Sequence, residues 1–222
     1  MRLKTSKSKR RQINNSLTPS FSEEKLLRAE GYRYIAGIDE VGRGALAGPV
    51  VAAAVVLPTF IKAPWLDNVR DSKQLTPAKR EYLFHFIHEK ALSVGIGSAD
   101  CEIVDTQGIA VATRLAMTLA VEQLSPPPEA LLIDYMLLPG ISLPQKGITR
   151  GDSLCYSIAC ASIIAKVTRD NWMIKIDDTY PGYGLARHKG YGTREHLSCL
   201  SRLGASPVHR RSFRPVREVM EK

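Results

Sequence analysis

An acidic pair within an apolar run is the feature that most constrains how this chain can fold. The run extends from Tyr34 to Leu57, YIAGIDEVGRGALAGPVVAAAVVL, and Asp39 and Glu40 are its only acids. Carboxylates are rarely buried unless they are paired or bind a metal. Two carboxylates at the end of a buried strand indicate a divalent-metal site, although a solvated acidic turn explains the dipeptide alone equally well. The segment Gly42-Arg43-Gly44 that follows can bring backbone amides close to a phosphate.

The positive charge of the chain is concentrated near its N-terminus. The 222 residues carry a formal net charge of +9, and six cations lie in the first eleven residues, MRLKTSKSKRR, so the remainder is at about +3. We predict a basic, disordered tail over residues 1 to 20 and a single α/β domain with a C-terminal helical part over residues 21 to 222. A basic tail fits a polyanionic partner, and a merely solvated extension is the alternative.

The sequence does not fit a membrane-spanning or disulfide-stabilised class. Its longest apolar stretch, Ala45 to Leu57, is interrupted by Gly48-Pro49 and is shorter than the roughly 18 residues that a span needs. The N-terminus lacks the apolar core of a secretory signal. The four cysteines include no C-x-x-C pair, so we expect free thiols, no structural zinc site and a cytoplasmic location.

Hydrophobic periodicity and capping residues predict strands that alternate with helices. Thr76 and Thr193 are predicted helix caps, Ser22 is predicted to open the first helix, and residues 188 to 192 are predicted to form a loop. The predicted strands are 34–39, 50–57, 93–98, 130–134 and 145–149, and the predicted helices are 22–29, 77–90, 109–124, 153–178 and a last sizeable one from Thr193 to Gly204.

Two further acids stand at positions comparable to that of the first pair. Asp134 ends a short apolar strand, and Asp152 comes just before a helix. Because ligands gather outside the strand ends of open sheets, we expect these acids to join Asp39 and Glu40. Without cations, four adjacent carboxylates would raise one another's pKa. Two Mg²⁺ or Mn²⁺ ions about 3.5–4 Å apart would neutralise them and suit in-line phosphoryl displacement.

The chain resembles a known family, the type 2 ribonucleases H (ribonuclease HII). Seven segments match in family order between residues 37 and 213: GIDEVGRGALAGPVVAAAVVL, DSKQL, LLIDY, RGDSL, ASIIAKVTRD, HKGYGT and HRRSF. The resemblance implies an RNase H-like fold, a mixed five-stranded sheet flanked by helices. It also implies a metal-dependent endonuclease that cleaves the RNA strand of RNA–DNA hybrids and cuts 5′ to single ribonucleotides in duplex DNA, leaving 3′-hydroxyl and 5′-phosphate ends. We expect a monomer with two Mg²⁺ or Mn²⁺ ions.

The resemblance also implies roles for individual residues. Gly42, Arg43 and Gly44 match the loop that reads the ribose 2′-hydroxyl, and Tyr191 matches the tyrosine that packs on the sugar after the ribonucleotide. Lys73 and Lys166, within DSKQL and ASIIAK, are candidates for binding substrate phosphates. The residues that match the catalytic, metal-binding carboxylates are Asp39, Glu40, Asp134 and Asp152.

The chain departs from the family pattern after the third acid. Tyr135 stands where glycine is usual, so we expect the backbone leaving that strand to differ, because tyrosine rarely adopts the turn conformations open to glycine. Arg150 stands where lysine is commoner, which leaves the attraction for phosphate in place. Asp170 lies 18 residues after Asp152, roughly 27 Å along a continuous helix, so we expect it to pair with Lys166 and not to bind the same metals.

Two alternatives and one set of residues stay open. A type 3 ribonuclease H would carry an N-terminal platform domain, for which about 33 residues before the first strand are too few. A nucleic-acid-binding module without catalysis is disfavoured, because acids facing phosphates weaken binding unless metals intervene. His188, His196 and His209 could carry protons, but their spacing matches no metal motif and favours surface or capping roles.

Overall fold

The computed structural model describes residues 18–59, 61 and 63–221. The predicted basic tail therefore lies outside the described residues up to position 17. Ser20 already belongs to the folded part, since its backbone N–H donates to the carbonyl of Leu154 at 2.9 Å and its own carbonyl accepts from Tyr156. The disordered tail stays a prediction for residues 1 to 17, and Ser20 does not belong to it.

A mixed five-stranded sheet forms the centre of the protein, as the sequence predicted. Its spatial order is β3-β2-β1-β4-β5. β1 pairs antiparallel with β2 and β2 antiparallel with β3, whereas β4 is parallel to both β1 and β5. The strands are β1 (Ile35–Val41), β2 (Val50–Val56), β3 (Ser93–Ala99), β4 (Ala130–Asp134) and β5 (Gln145–Ile148).

Helices cover both faces of this sheet, which gives an α/β sandwich. The helices are α1 (Ser22–Ala29), α2 (Pro77–Lys90), α3 (Cys101–Gln107), α4 (Ile109–Glu122), α5 (Tyr156–Thr179), α6 (Leu185–His188), α7 (Arg194–Leu203) and α8 (Arg214–Met220). α4 packs on one face together with one set of side chains of β1 and β2. α2 and α5 pack on the other. Every residue of β2 is buried, as its continuous Val/Ala composition predicts.

The contact between β3 and α4 depends on two glycines. A Cβ atom at Gly95 would lie 2.0 Å from the carbonyl oxygen of Ala120, and one at Gly97 would lie 2.1 Å from that of Ala116. No side chain fits in that space. The helix backbone can therefore lie directly against the strand, which brings the small residues of α4 into the core.

The predicted helix caps are mostly confirmed. Thr76 Oγ1 accepts from the N–H of Lys79 at 3.3 Å, and Thr193 Oγ1 accepts from His196 at 3.2 Å. Ser22 is the first helical residue, and Phe21 occupies the cap position without a side-chain bond. The prediction that the long helix begins at Ser153 was wrong. A 3₁₀ turn occupies Gly151–Ser153, and α5 starts only at Tyr156.

Three short helices were not predicted, because few residues carry their signal. Asp100 caps α3 by accepting from Ile103 N at 2.9 Å. α6 has four residues between two left-handed residues, so His188 ends a helix and does not begin a loop. α7 and α8 pack with Leu46 in a small cluster at the C-terminal side.

All four cysteines are free thiols. Within the described ranges, no helix is long and apolar enough to cross a membrane.

Candidate active site

The central strands bring the first three acids to one end of the sheet. Ile38 of β1 pairs with Ile133 of the parallel strand β4, so Asp39 and Asp134 follow at equivalent positions of neighbouring strands. Glu40 lies one residue further along β1, and the side chain of Asp39 is only 5% exposed. The sequence predicted this juxtaposition from the strand ends, and the register of the sheet produces it.

The fourth acid is joined to this group by a hydrogen bond through the backbone. Asp152 lies in the 3₁₀ turn that precedes α5, and it is 5% exposed. The adjacent N–H of Gly151 donates to Asp134 Oδ1 at 2.7 Å. The carboxylate that ends β4 therefore holds the turn that carries Asp152.

The four carboxylates are buried or half-buried and repel one another. Burial raises the pKa of Asp39 well above its ordinary value, and the charges of Glu40 and Asp134 raise it further. Burial is also the largest cause of the raised pKa values of Glu40, Asp134 and Asp152. Asp134 adds to the rise at Glu40, and Asp152 adds to the rise at Asp134. The group is therefore suited to binding cations, which would relieve both effects.

One oxygen in this group has no hydrogen-bond partner. Glu40 Oε2 is buried and unsatisfied, while Oε1 of the same carboxylate pairs with Arg43 Nη1 at 3.3 Å. A buried, unpaired carboxylate oxygen is unfavourable without a cation. Oxygen donors of this kind fit Mg²⁺ or Mn²⁺. Across the described residues, however, no three Asp, Glu, His or Cys side chains form a ready-made metal site. Shared burial and charge thus define the cluster, and no preformed ligand cage does.

Two lysines lie near the acids, in addition to Arg43. Lys73 Nζ lies 3.5 Å from Asp152 Oδ2 and its side chain is largely exposed, so it remains accessible to a substrate. Lys166 Nζ instead contacts Asp170 Oδ1 at 2.8 Å. This ion pair is the one that the sequence predicted for Asp170, and its purely structural role stays a prediction. The Lys166 ammonium also lies 5.8 Å from the centre of the Tyr191 ring.

A cleft of about 440 Å³ connects the predicted residues. Its lining includes Asp39, Glu40, Lys73, Lys166 and Tyr191. The remaining acids and the glycine loop lie beside this cleft and do not line it. The two lysines bring positive charge to this cleft beside the carboxylates of Asp39 and Glu40.

The glycine loop and the tyrosine loop are directly hydrogen-bonded. Ala45 and Tyr191 form a β-bridge, and Leu46 N–H donates to Gly190 O at 2.8 Å. Gly42 has a φ of +89°, and the region beside Gly44 is open space. Any side chain at Gly42 would collide with Arg169, because a Cβ there would lie 2.2 Å from its Nε.

Tyr135 adopts a backbone conformation that favours glycine. Its φ is +65°, so the chain leaves β4 in the left-handed region although a tyrosine stands there. The side chain is 68% exposed. Tyrosine therefore accepts this strained conformation at a modest cost. The replacement of glycine by Tyr135 does not require the backbone leaving β4 to differ.

The histidines form a buried structural chain. His196 Nε2 and His209 Nε2 lie 3.0 Å apart, and His196 Nδ1 contacts the Tyr191 carbonyl at 3.0 Å. His188 Nε2 contacts Tyr183 O at 2.8 Å. These bonds support the loop of Tyr191 and place none of the three rings against the acids. The surface role that the sequence favoured is wrong for His196 and His209, which are 0% and 1% exposed.

Three residues that hold the site together were not predicted from the sequence. Ser162 donates a hydrogen bond that lowers the pKa of Asp39, and its hydroxyl lies 3.0 Å from that of Ser72. Arg169 and Arg210 are fully buried behind the glycine loop. A signal existed for Arg169, since it lies three residues after Lys166 in a helix whose first half is mainly Ala, Ser and Ile, and buried cations are rare.

A mixed sheet of this order, flanked by helices and with acids ending two adjacent parallel strands, places the chain in the class of proteins with an RNase H-like fold. Solved structures share the architecture. The crystal structure of ribonuclease H2 from Pyrococcus horikoshii OT3 matches with a TM-score of 0.71 at 24% identity, over 84% of this chain and 97% of that one. Bst-RNase HIII in complex with Mn²⁺ matches with a TM-score of 0.67 at 21% identity, over 85% of this chain and 69% of that one.

Sequence similarity identifies the family within this class. A family model described as Ribonuclease HII matches residues 36–216. A Ribonuclease HII of Dehalococcoides mccartyi is 57% identical over 205 residues, which cover 92% of this chain and 97% of that protein. The chain belongs to the ribonuclease HII family and is an endoribonuclease.

Proposed function

We propose that this enzyme hydrolyses the RNA strand of RNA–DNA hybrids and also cuts 5′ to single ribonucleotides embedded in duplex DNA. The products are a 3′-hydroxyl and a 5′-phosphate. The enzyme acts as a monomer in the cytoplasm, where scattered free thiols stay reduced. Membership of the ribonuclease HII family supports this substrate class, and the acidic cluster supports the chemistry.

The observation that carries the proposal is the buried, unsatisfied oxygen Glu40 Oε2 within a cluster of four acids, of which Asp39 and Asp152 are buried and Glu40 and Asp134 are half-buried. Asp39, Glu40, Asp134 and Asp152 are the residues that would hold two divalent ions, Mg²⁺ or Mn²⁺. When bound, such ions supply an activated water and stabilise the leaving oxygen of the phosphodiester. A binding module without catalysis would gain nothing from buried acids next to phosphates, because they repel the ligand.

Side chains around the acids can bind and orient the substrate. Lys73 and Lys166 are placed on the cleft to attract backbone phosphates. The open space beside Gly44 allows close approach of a ribose, whose 2′-hydroxyl distinguishes RNA from DNA. Tyr191 offers a flat ring for the next sugar. Loss of the 2′-hydroxyl would leave polar groups of the loop unpaired, which is how strong rejection of DNA arises.

Substitution of the acids tests the catalytic assignment. We expect Asp39→Asn, Glu40→Gln, Asp134→Asn and Asp152→Asn each to lower cleavage of a single-ribonucleotide duplex by at least about a hundredfold. Asp170→Asn is the matched control and should stay within about threefold, because Asp170 forms an ion pair along α5 and is not one of the four clustered acids. Circular dichroism monitors folding, and calorimetric titration with Mn²⁺ and Mg²⁺ measures metal binding independently of activity. Near wild-type cleavage by Glu40→Gln would contradict the proposal.

The sugar-reading role of Tyr191 has its own test. We expect Tyr191→Ala to reduce cleavage at a single ribonucleotide more than cleavage of an all-RNA strand in a hybrid, because a deoxyribose neighbour fits against the ring best. Equal losses on the two substrates would mean that the tyrosine only anchors its loop.

A further inference from the structure

Two fully buried arginines lie behind the substrate loops without an acidic partner. Arg169 and Arg210 both have 0% relative exposure. In the part of the chain that the structure describes, neither forms a salt bridge or a hydrogen bond to a carboxylate. Burial of an unpaired cation is unfavourable and is poor evidence for a stabilising role. Their hydrogen bonds point to another purpose.

Arg169 connects the glycine loop to the tyrosine loop. It projects from α5 and donates to three backbone carbonyls: Nε to Pro49 at 2.9 Å, Nη2 to Ala47 at 3.1 Å and Nη1 to Lys189 at 2.9 Å. The first two carbonyls lie just beyond the glycine loop, and the third lies two residues before Tyr191. The planar guanidinium, with five donors in a fixed arrangement, can satisfy three separated acceptors at once, whereas an ammonium cannot match that geometry.

Arg169 also contacts the two recognition elements themselves. Its guanidinium carbon lies 5.5 Å from the centre of the Tyr191 ring. On the other side it fills the space where a Cβ of Gly42 would be. A single side chain therefore separates the first residue of the glycine loop from the aromatic ring.

Arg210 holds the glycine loop from the C-terminal segment. Its Nη1 donates to Arg43 O at 2.9 Å, and its Nε and Nη2 donate to Gly48 O at 3.1 and 2.8 Å. It thereby fixes both ends of the turn that carries Gly44. The two arginines and the β-bridge between Ala45 and Tyr191 join both recognition loops into one rigid unit.

We propose that Arg169 and Arg210 are positioning residues that set the spacing between the glycine loop and Tyr191, and thereby the selectivity for a single ribonucleotide followed by deoxyribose. This inference rests on the proposed sugar-reading roles of those loops. An isolated ribonucleotide is held only when its hydroxyl and the next sugar are contacted together. An all-RNA strand presents a hydroxyl at every position and tolerates an altered spacing, so the two substrates should respond differently.

The test compares kcat/KM on a duplex with one ribonucleotide and on an RNA–DNA hybrid. We expect Arg169→Lys and Arg210→Lys to lower the ratio of the two values by at least about tenfold, since small misplacements have large kinetic effects. Arg28→Lys is the matched control. Arg28 also donates to backbone carbonyls, those of Leu57 and Thr59, but at the far end of β2, so its ratio should not change.

A double-mutant cycle separates this inference from the proposed function. If Arg169 acts through Tyr191, the ratio for Arg169→Lys combined with Tyr191→Ala should lie within about twofold of that for Tyr191→Ala alone. An unchanged ratio for Tyr191→Ala alone would refute the sugar-reading role. A changed ratio for Tyr191→Ala with unchanged ratios for both arginine variants would overturn only the positioning role.

Melting curves detect a purely structural effect. Equal losses of kcat/KM on both substrates, accompanied by a lower melting temperature, would also overturn the positioning role. If Arg169→Lys does not fold, Arg210→Lys provides the same comparison, because it leaves the hydrogen bonds of Arg169 in place. An unchanged ratio in that folded variant would refute the proposal.

Discussion

The buried pair His196 and His209 should make the stability of this fold depend on pH. The backbone N–H of Ser206 donates to His209 Nδ1 at 3.1 Å, so that nitrogen carries no proton. His209 Nε2–H then donates to His196 Nε2, and His196 Nδ1–H donates to the carbonyl of Tyr191. The Ser206 N–H at one end and the Tyr191 carbonyl at the other therefore determine which nitrogen of each ring carries the proton. Protonation of either ring would place two donors against each other.

The magnitude follows from the pKa of His209. Its side chain is 1% exposed, and burial, assisted by the neighbouring His196, lowers the pKa from 6.5 to about 4. Between these values the unfolded chain binds a proton that the folded protein does not, so stability is complete above pH 6.5 and falls as the pH decreases. At about 1.4 kcal/mol per pKa unit, the loss is about 2 kcal/mol at pH 5 and about 3 kcal/mol below pH 4.

The assay is urea unfolding of the wild type and His209→Asn at about pH 7.5 and about pH 5. The asparagine oxygen can still accept from Ser206 but does not titrate. The active-site acids have raised pKa values and contribute with the opposite sign, equally in both proteins, so the comparison removes them. We expect the wild type to be more stable at pH 7.5 and its advantage to shrink by about 2 kcal/mol at pH 5. A constant advantage, or an NMR titration midpoint of His209 near 6.5, would refute the reasoning.

Three other changes have defined outcomes. Tyr135→Gly should raise the melting temperature by about 2–4 °C, because it relieves a left-handed tyrosine whose exposed ring packs on little; a decrease in thermal denaturation would contradict this. Asp170→Asn should cost about 1 kcal/mol in urea unfolding, the upper end for an ion pair within one helix, because both side chains are less than a fifth exposed. Deletion of residues 2 to 17 should weaken duplex binding and flatten its log–log salt dependence by about 0.9 for each lost phosphate contact, with the cleavage position unchanged; an identical slope would mean that the tail does not touch the substrate.

Local patterns in the sequence determined much of the fold. The continuous apolar composition of β2 predicted a strand buried on both faces, and Thr76 and Thr193 marked the starts of two helices. The positions of Asp39 and Asp134 at strand ends also predicted that the two acids lie together. These inferences succeed because periodicity, capping and strand termination each depend on a few neighbouring residues.

Only the tertiary structure decided how the recognition loops are held. Arg210 donates to Arg43 across 167 residues of sequence, and Arg169 reaches Pro49 across 120. Both arginines bind backbone carbonyls, which every residue type has. No pattern of side chains in the sequence can therefore predict these contacts. The left-handed backbone of Tyr135 was likewise not predictable from the sequence, because glycine favours that conformation and tyrosine rarely adopts it. Local rules choose strands and helices, but the packing of distant segments determines which backbone groups need a partner and which side chain supplies it.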